Sequence, residues 1–256
     1  MITRRKFVRG AIGTAGLLAG AGVVTVAGNL AAAPARAAVY RGHGAGSCDG
    51  CSEAVARLLG SGPTPLQVEF VGPDEPRQLS PETLAGALVY AQPGGGDVAT
   101  AWRHLAEDAD TVRQWVQGGG NYLGFCLGGY LAGSNPGFGL LPGAAIRYIS
   151  SPGATVTSTS YTTVAIDWRG QPKQMYFQDG PAFRLAPNAP ATVLATYPNG
   201  EPAALTASFG RGRVGVVGPH PEAELNWFGP TVVNPTDAMH PEVGHDLIEQ
   251  TINRPF

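Results

Sequence analysis

Charge is scarce in this chain, and lysine is nearly absent. Charged side chains make up 14% of the 256 residues and the formal net charge is -2. Such a balance excludes a polybasic surface for nucleic acid or for a membrane. There are three cysteines and no H-x-x-x-H pair, so a zinc site has no complete ligand set. No internal repeat, linker or low-complexity tract interrupts positions 38–256. Nothing in the composition or spacing points to a metal, nucleotide or flavin cofactor.

The few basic residues are unevenly placed. Arg4, Arg5, Lys6, Arg9 and Arg36 fall within the first 37 positions, which hold no acidic residue; the remainder carries 12 basic against 19 acidic residues. After the basic cluster comes a soft Ala- and Gly-rich stretch, Ala11 to Ala33, and then the small-residue site Ala35-Arg36-Ala37. A basic region, a weakly apolar region and an A-x-A site make a signal peptide over 1–37, and the paired arginines before Phe7 give it the twin-arginine (Tat) form. The expectation is export by the Tat machinery, with function outside the cytoplasm (periplasm, cell wall or medium). The alternative is a retained anchor. The stretch is long enough to span a bilayer, but its Gly and Ala content makes a poor spanning helix.

Residues 38–256 read as one domain. Ala38 to Arg41 predicts a short strand, Cys51 to Leu59 a helix, and Leu66 to Val71 a strand of period 2. A buried strand lies within Leu84 to Tyr90 and runs into Gln92-Pro93-Gly94-Gly95-Gly96-Asp97. Val98, Trp102, Leu105, Ala109, Val112, Trp115 and Val116 then recur at helical spacing and predict one long helix, stopped by Gly118-Gly119-Gly120. Asn121 to Phe125 is a strand ending at Cys126. Alternating strands and helices argue for a parallel, doubly wound α/β sheet. From about residue 144, Thr-, Ser- and Val-rich pieces punctuated by Gly and Pro predict antiparallel strands up to Val217, followed by a helix from Glu242 to Asn253.

Gly124-Phe125-Cys126-Leu127-Gly128-Gly129 has the G-x-nucleophile-x-G layout of a nucleophile elbow, with Cys as the nucleophile. A sharp strand-to-helix turn needs small residues two before and two after the nucleophile. The helix that follows aims its positive end and free N–H groups at the sulfur, and the Leu127 N–H is placed to meet an oxyanion. The competing reading is a buried, inert cysteine. A thiolate nucleophile needs a base and the base an orienter. Gly218-Pro219-His220-Pro221-Glu222 offers both, at the end of the apolar run Val214 to Val217, where an α/β sheet displays its site. His104 and His245 read as exposed helix residues; His43 and His240 read as loop residues without a comparable carboxylate.

Together these stretches resemble the biotin-protein ligase N-terminal domain family, within the class I glutamine amidotransferase-like superfamily. The resemblance rests on Gly119 through Tyr130, with Val39-Tyr40-Arg41-Gly42, Pro93 through Asp97, Gly218 through Glu222 and, less diagnostically, Tyr176 through Phe183. It implies a flavodoxin-like three-layer α/β/α sandwich with a mostly parallel sheet and an antiparallel β extension in the C-terminal half. It further implies Cys126 as nucleophile, His220 as base, Glu222 as its orienter, and the Gly95 and Gly96 turn beside Leu127 as oxyanion hole. Glutamine amidotransferases carry Gln four residues after the nucleophile. This chain has Tyr130, which argues against a glutamine-specific pocket. Gly210-Arg211-Gly212-Arg213-Val214-Gly215 looks like a biotin-ligase phosphate loop. It reads instead as a hairpin turn, and Lys173 has no biotin-ligase context, so biotin ligation is not expected.

Cys48-Asp49-Gly50-Cys51 is open between a local disulfide, a redox pair acting on Cys126, and half a metal site. Three functions therefore stand: an exported cysteine hydrolase or amidase acting on an amide or ester of small-molecule or peptide-like type, a non-catalytic small-molecule-binding domain, and a thiol-redox protein using Cys48, Cys51 and Cys126. Tyr130, Tyr161 and Asn226-Trp227-Phe228 are candidates for the pocket lining, with core positions the alternative.

Overall fold

The computed structural model describes residues 34–42, 50–230 and 232–252. The predicted signal segment up to residue 33, His43 and Cys48 lie outside these residues. Alternation of buried side chains builds the centre. In β1 (Arg36–Tyr40), Ala37 and Val39 face one side of the sheet while Ala38 and Tyr40 face the other, all of them buried. β2 (Gln67–Val71), β3 (Val89–Gln92) and β4 (Asn121–Phe125) join β1 in parallel register, in the order β2-β1-β3-β4.

Two apolar layers cover the two faces. On one, α1 (Cys51–Ser61) contributes Val55, Leu58 and Leu59, and α6 (Pro241–Ile252) contributes Val243, Leu247 and Ile248. On the other sit α2 (Pro81–Ala85), α3 (Val98–Leu105), α4 (Ala109–Gln117) and α5 (Leu127–Leu131), burying Leu84, Leu105, Val116 and Leu131 among others. The result is the expected three-layer α/β/α sandwich.

The sheet continues as predicted into an antiparallel wing. β11 (Gly212–Val217) pairs parallel with β4 and antiparallel with β10 (Pro202–Phe209). Outward follow β9 (Ala191–Thr196), β6 (Thr162–Trp168) and β7 (Gln171–Phe177), while β5 (Gly143–Arg147) and β8 (Pro181–Leu185) form a separate two-stranded sheet. The Gly210-Arg211 segment joins β10 to β11 across the Phe209–Gly212 pair, a two-residue hairpin turn as the sequence indicated.

Three boundaries differ from the sequence reading. The long helix is two, because Asp108 N–H donates to the Leu105 carbonyl at 3.1 Å and Ala109 N–H to that of Ala106 at 3.3 Å. These tighter i to i−3 bonds break the α ladder, and Asp108 and Asp110 start a fresh helix with favourable N-terminal charge. Leu84 is not in a strand but in the short helix α2, capped by Ser80, whose hydroxyl accepts from Thr83 N–H. Finally, β1 begins at Arg36, ahead of the boundary after residue 37. No helix among the described residues is long and apolar enough to cross a membrane.

Candidate active site

Cys126 stands between β4 and α5 with φ 47° and ψ −101°, a conformation that is costly for a side chain with a Cβ and is held by its surroundings. The Cys126 N–H donates to the Val217 carbonyl at 2.9 Å, tying the elbow to the neighbouring strand β11. The flanking glycines are required by contact. A Cβ on Gly124 would lie 2.4 Å from the Gly128 oxygen, and one on Gly128 would lie 2.0 Å from the Gln92 oxygen on β3. The Tyr122 hydroxyl donates to the Gly128 carbonyl at 2.7 Å and fixes the turn from below. α5 has only five residues, so its dipole is smaller than the sequence reading assumed.

His220 emerges just past the end of β11, and its N–H donates to the Tyr176 carbonyl at 3.0 Å. Its Nδ1 is 2.8 Å from Glu222 Oε1, and both side chains are almost wholly buried. The other carboxylate oxygen of Glu222 is buried with no hydrogen-bond partner. Burial alone would disfavour the charged imidazole. The electrostatic and hydrogen-bonding influence of Cys126, and after it that of Glu222, outweighs the burial and raises His220 to about 10. Imidazole and carboxylate are thus joined directly, and Cys126 lines the same cavity as His220. The Cys126 thiol also faces the Gln178 carbonyl, at 3.7 Å.

Gly94 completes the contact from the β3 side. A Cβ there would lie 2.7 Å from His220 Cε1 and 3.4 Å from the Cys126 Cβ. Gly95 and Gly96 follow with φ of 100° and 73°, and Asp97 then caps α3 by accepting from Thr100 N–H at 2.9 Å. Gly95, Gly96 and Leu127 all line a cavity of about 870 Å³ that opens over Cys126 and His220.

Of the aromatic candidates, Tyr130 and Trp227 line this cavity with Asn226, whereas Tyr161 and Phe228 do not. Trp227 and Tyr176 stand edge-on to the His220 ring, with centroids 5.4 and 5.5 Å away. Tyr130, at the position where amidotransferases carry Gln, donates its hydroxyl to the Asp179 carbonyl at 3.1 Å. Arg147 grips the Asp179 carboxylate, with Nε 2.9 and 3.0 Å from its two oxygens. The sequence reading missed Arg147 and gave Asp179 no role, although Asp179 lies within the Tyr176 through Phe183 stretch of the resemblance. Cys51 is disulfide-bonded and lies in the cavity wall, while Cys126 is a free thiol.

His240 corrects the sequence reading. His240-Pro241-Glu242 is a second H-P-E, with Nδ1 2.9 Å from Glu242 Oε1. Its Nε2 is taken by the Asp237 carbonyl at 3.1 Å, so the ring has no nitrogen left for a nucleophile. His104 is exposed on α3, and the partly exposed His245 on α6 meets Ser61 at 3.3 Å. No group of three or more His, Cys, Asp or Glu side chains among the described residues is placed to hold a metal.

A sequence model of the family described as "Biotin-protein ligase, N terminal" matches residues 37–140. Imidazole glycerol phosphate synthase subunit HisH of Acaryochloris marina is 28% identical over 156 residues, covering 56% of this chain and 72% of that protein. A glutamine amidotransferase structure from Thermotoga maritima superposes with a TM-score of 0.57 at 13% identity, over 87% of this chain and all of that one. The chain belongs to the class I glutamine amidotransferase-like superfamily. The superfamily fold also superposes on 35% of an exo-β-1,4-mannosidase from an Opitutaceae bacterium (TM-score 0.51, 17% identity, 84% of this chain). Fold alone therefore does not fix the chemistry of a class I glutamine amidotransferase-like domain.

Proposed function

We propose that this chain is an exported hydrolase of the cysteine-nucleophile type, cleaving an amide or ester through Cys126, His220 and Glu222. The buried His220–Glu222 pair, in the same cavity as Cys126, carries the reading, since the fold alone does not require an imidazole held by a carboxylate there. The Cys126 thiolate attacks the substrate carbonyl carbon. The oxyanion meets N–H groups of Leu127 and the Gly95-Gly96 turn. His220, already protonated, gives its proton to the departing amine or alkoxide, leaving a thioester on Cys126. Water then attacks that thioester, with His220 taking the proton, and the C–S bond breaks to release the acid and restore the Cys126 thiolate beside protonated His220.

Tyr130 supports an acyl group other than glutamine, because it lines the cavity at the sequence position where amidotransferases carry Gln. Export rests on the twin arginines and the small-residue site of the N-terminal segment. The first test is a panel of p-nitrophenyl esters and anilides, with iodoacetamide labelling of Cys126 followed by mass spectrometry. Turnover that disappears in both Cys126→Ala and His220→Ala supports the reading. A Cys126 that is unreactive at every pH, with no turnover, gives the site to small-molecule binding. Cys51 in the cavity wall favours one second reading, in which Cys126 exchanges with the Cys51 disulfide. Exchange with a small disulfide would then survive His220→Ala, whereas hydrolysis would not.

A further inference from the structure

We infer that the leader is removed by hydrolysis of the Ala35–Arg36 bond, so that the exported protein begins at Arg36. The inference rests on the export reading above. The A-x-A triplets near the end of the leader allow three junctions, after Ala33, after Ala35 and after Ala37. The first is followed by Pro34, whose ring fixes φ and leaves no N–H to offer a protease.

The third junction lies inside the sheet. Ala37 pairs with Val68 on one side and Val89 on the other, and Ala37 and Ala38 are 0% and 1% exposed. The Tat route carries folded protein, so the bond after Ala37 would be sealed between two strands when a peptidase met it. Cleavage there would also strip the start of β1. The Leu88 N–H would lose the Arg36 carbonyl at 2.8 Å, and Glu69 would lose its 3.0 Å ion pair with Arg36.

The Ala35–Arg36 bond sits at the edge of this order. Pro34 and Ala35 are exposed, and Arg36 is the first residue of the strand. One hydrogen bond, from Gln67 N–H to the Ala35 carbonyl, must fray for the bond to be reached. A membrane signal peptidase then adds water across the C–N bond, leaving a carboxylate on Ala35 and an ammonium on Arg36. Arg36 keeps its side-chain pairing with Glu69, and β1 keeps all its residues.

The test expresses the full chain in a Tat-competent bacterium, fractionates the cells and reads the N-terminus of the exported form by mass spectrometry. Arg36 is expected. Pro34 or Ala38 as first residue overturns the junction while leaving export intact. An unprocessed chain retained in the cytoplasm overturns export and the junction together, and an unprocessed exported chain overturns the junction alone. Ala33→Leu provides the second arm. It puts a bulky residue three before the Ala35–Arg36 bond and leaves Ala35 and Ala37 untouched. Loss of the processed band is expected, and normal processing sinks the inference.

Discussion

Gly124 and Gly128 face each other across the elbow with no room for a methyl group, the Gly128 oxygen lying 2.4 Å from where a Gly124 Cβ would stand. The obstacle is backbone, which cannot rotate aside. Gly124→Ala is therefore expected to cost about 1–3 kcal/mol of stability, read as a lower urea midpoint at unchanged slope. Iodoacetamide labelling of Cys126 should fall with it, because the turn that presents the sulfur must shift. A variant as stable and as reactive as the parent would show that the elbow adapts freely.

The charge state of His220 is open to direct observation. Its neighbours raise it to about 10 although burial opposes the charge, so the ring should stay protonated well above its ordinary 6.5. In histidine-labelled protein, the NMR signal of His220 should titrate near pH 10. Cys126→Ala removes the strongest of the raising influences and leaves the burial, so the midpoint should move down. A parent midpoint near 6.5, unchanged by that substitution, would contradict the arrangement.

Glu222 touches the imidazole and not the cavity, and so acts as a positioning residue. Glu222→Gln keeps the shape but gives the Nδ1–H a neutral acceptor. Turnover should drop roughly 10²–10⁴-fold with KM little changed. The His220 midpoint should also fall, a shift that a purely structural role would not produce.

Arg147 and Asp179 form a partly exposed pair, with side-chain exposures of 51% and 26%. Solvent screening limits its worth, and Arg147→Ala should cost under about 1 kcal/mol. The same pair fixes the turn whose carbonyls meet Tyr130 and Cys126. KM should therefore rise several-fold while the melting temperature barely moves; the opposite pattern would make the pair a stability element only.

Much of this was legible in the residues. The elbow and the first H-P-E carry their own steric and chemical logic, period-2 spacing located β2 and helical spacing α1, and the bounds read for β4 and α6 hold to within a residue. The split between α3 and α4 was hidden because Leu105 and Ala109 keep perfect i, i+4 spacing through the break. A periodic pattern reports which face is buried, not whether the hydrogen-bond ladder is continuous. The second H-P-E shows the converse. His240 and Glu242 share the spacing of His220 and Glu222, but only tertiary placement decides that one imidazole faces the cavity beside Cys126 and the other a backbone carbonyl. Arg147 meets Asp179 because β5 pairs with β8, a register that no local signal encodes.

β4 and β11 are neighbours in the sheet, yet most of the C-terminal half of the chain is threaded between them. The elbow is thus synthesised long before the strand that delivers its base. A nascent chain carries a cysteine with no imidazole beside it, and chemistry can start only once the antiparallel wing has closed and β11 has slotted in next to β4. Completion of the fold is in that sense the site's own safety catch.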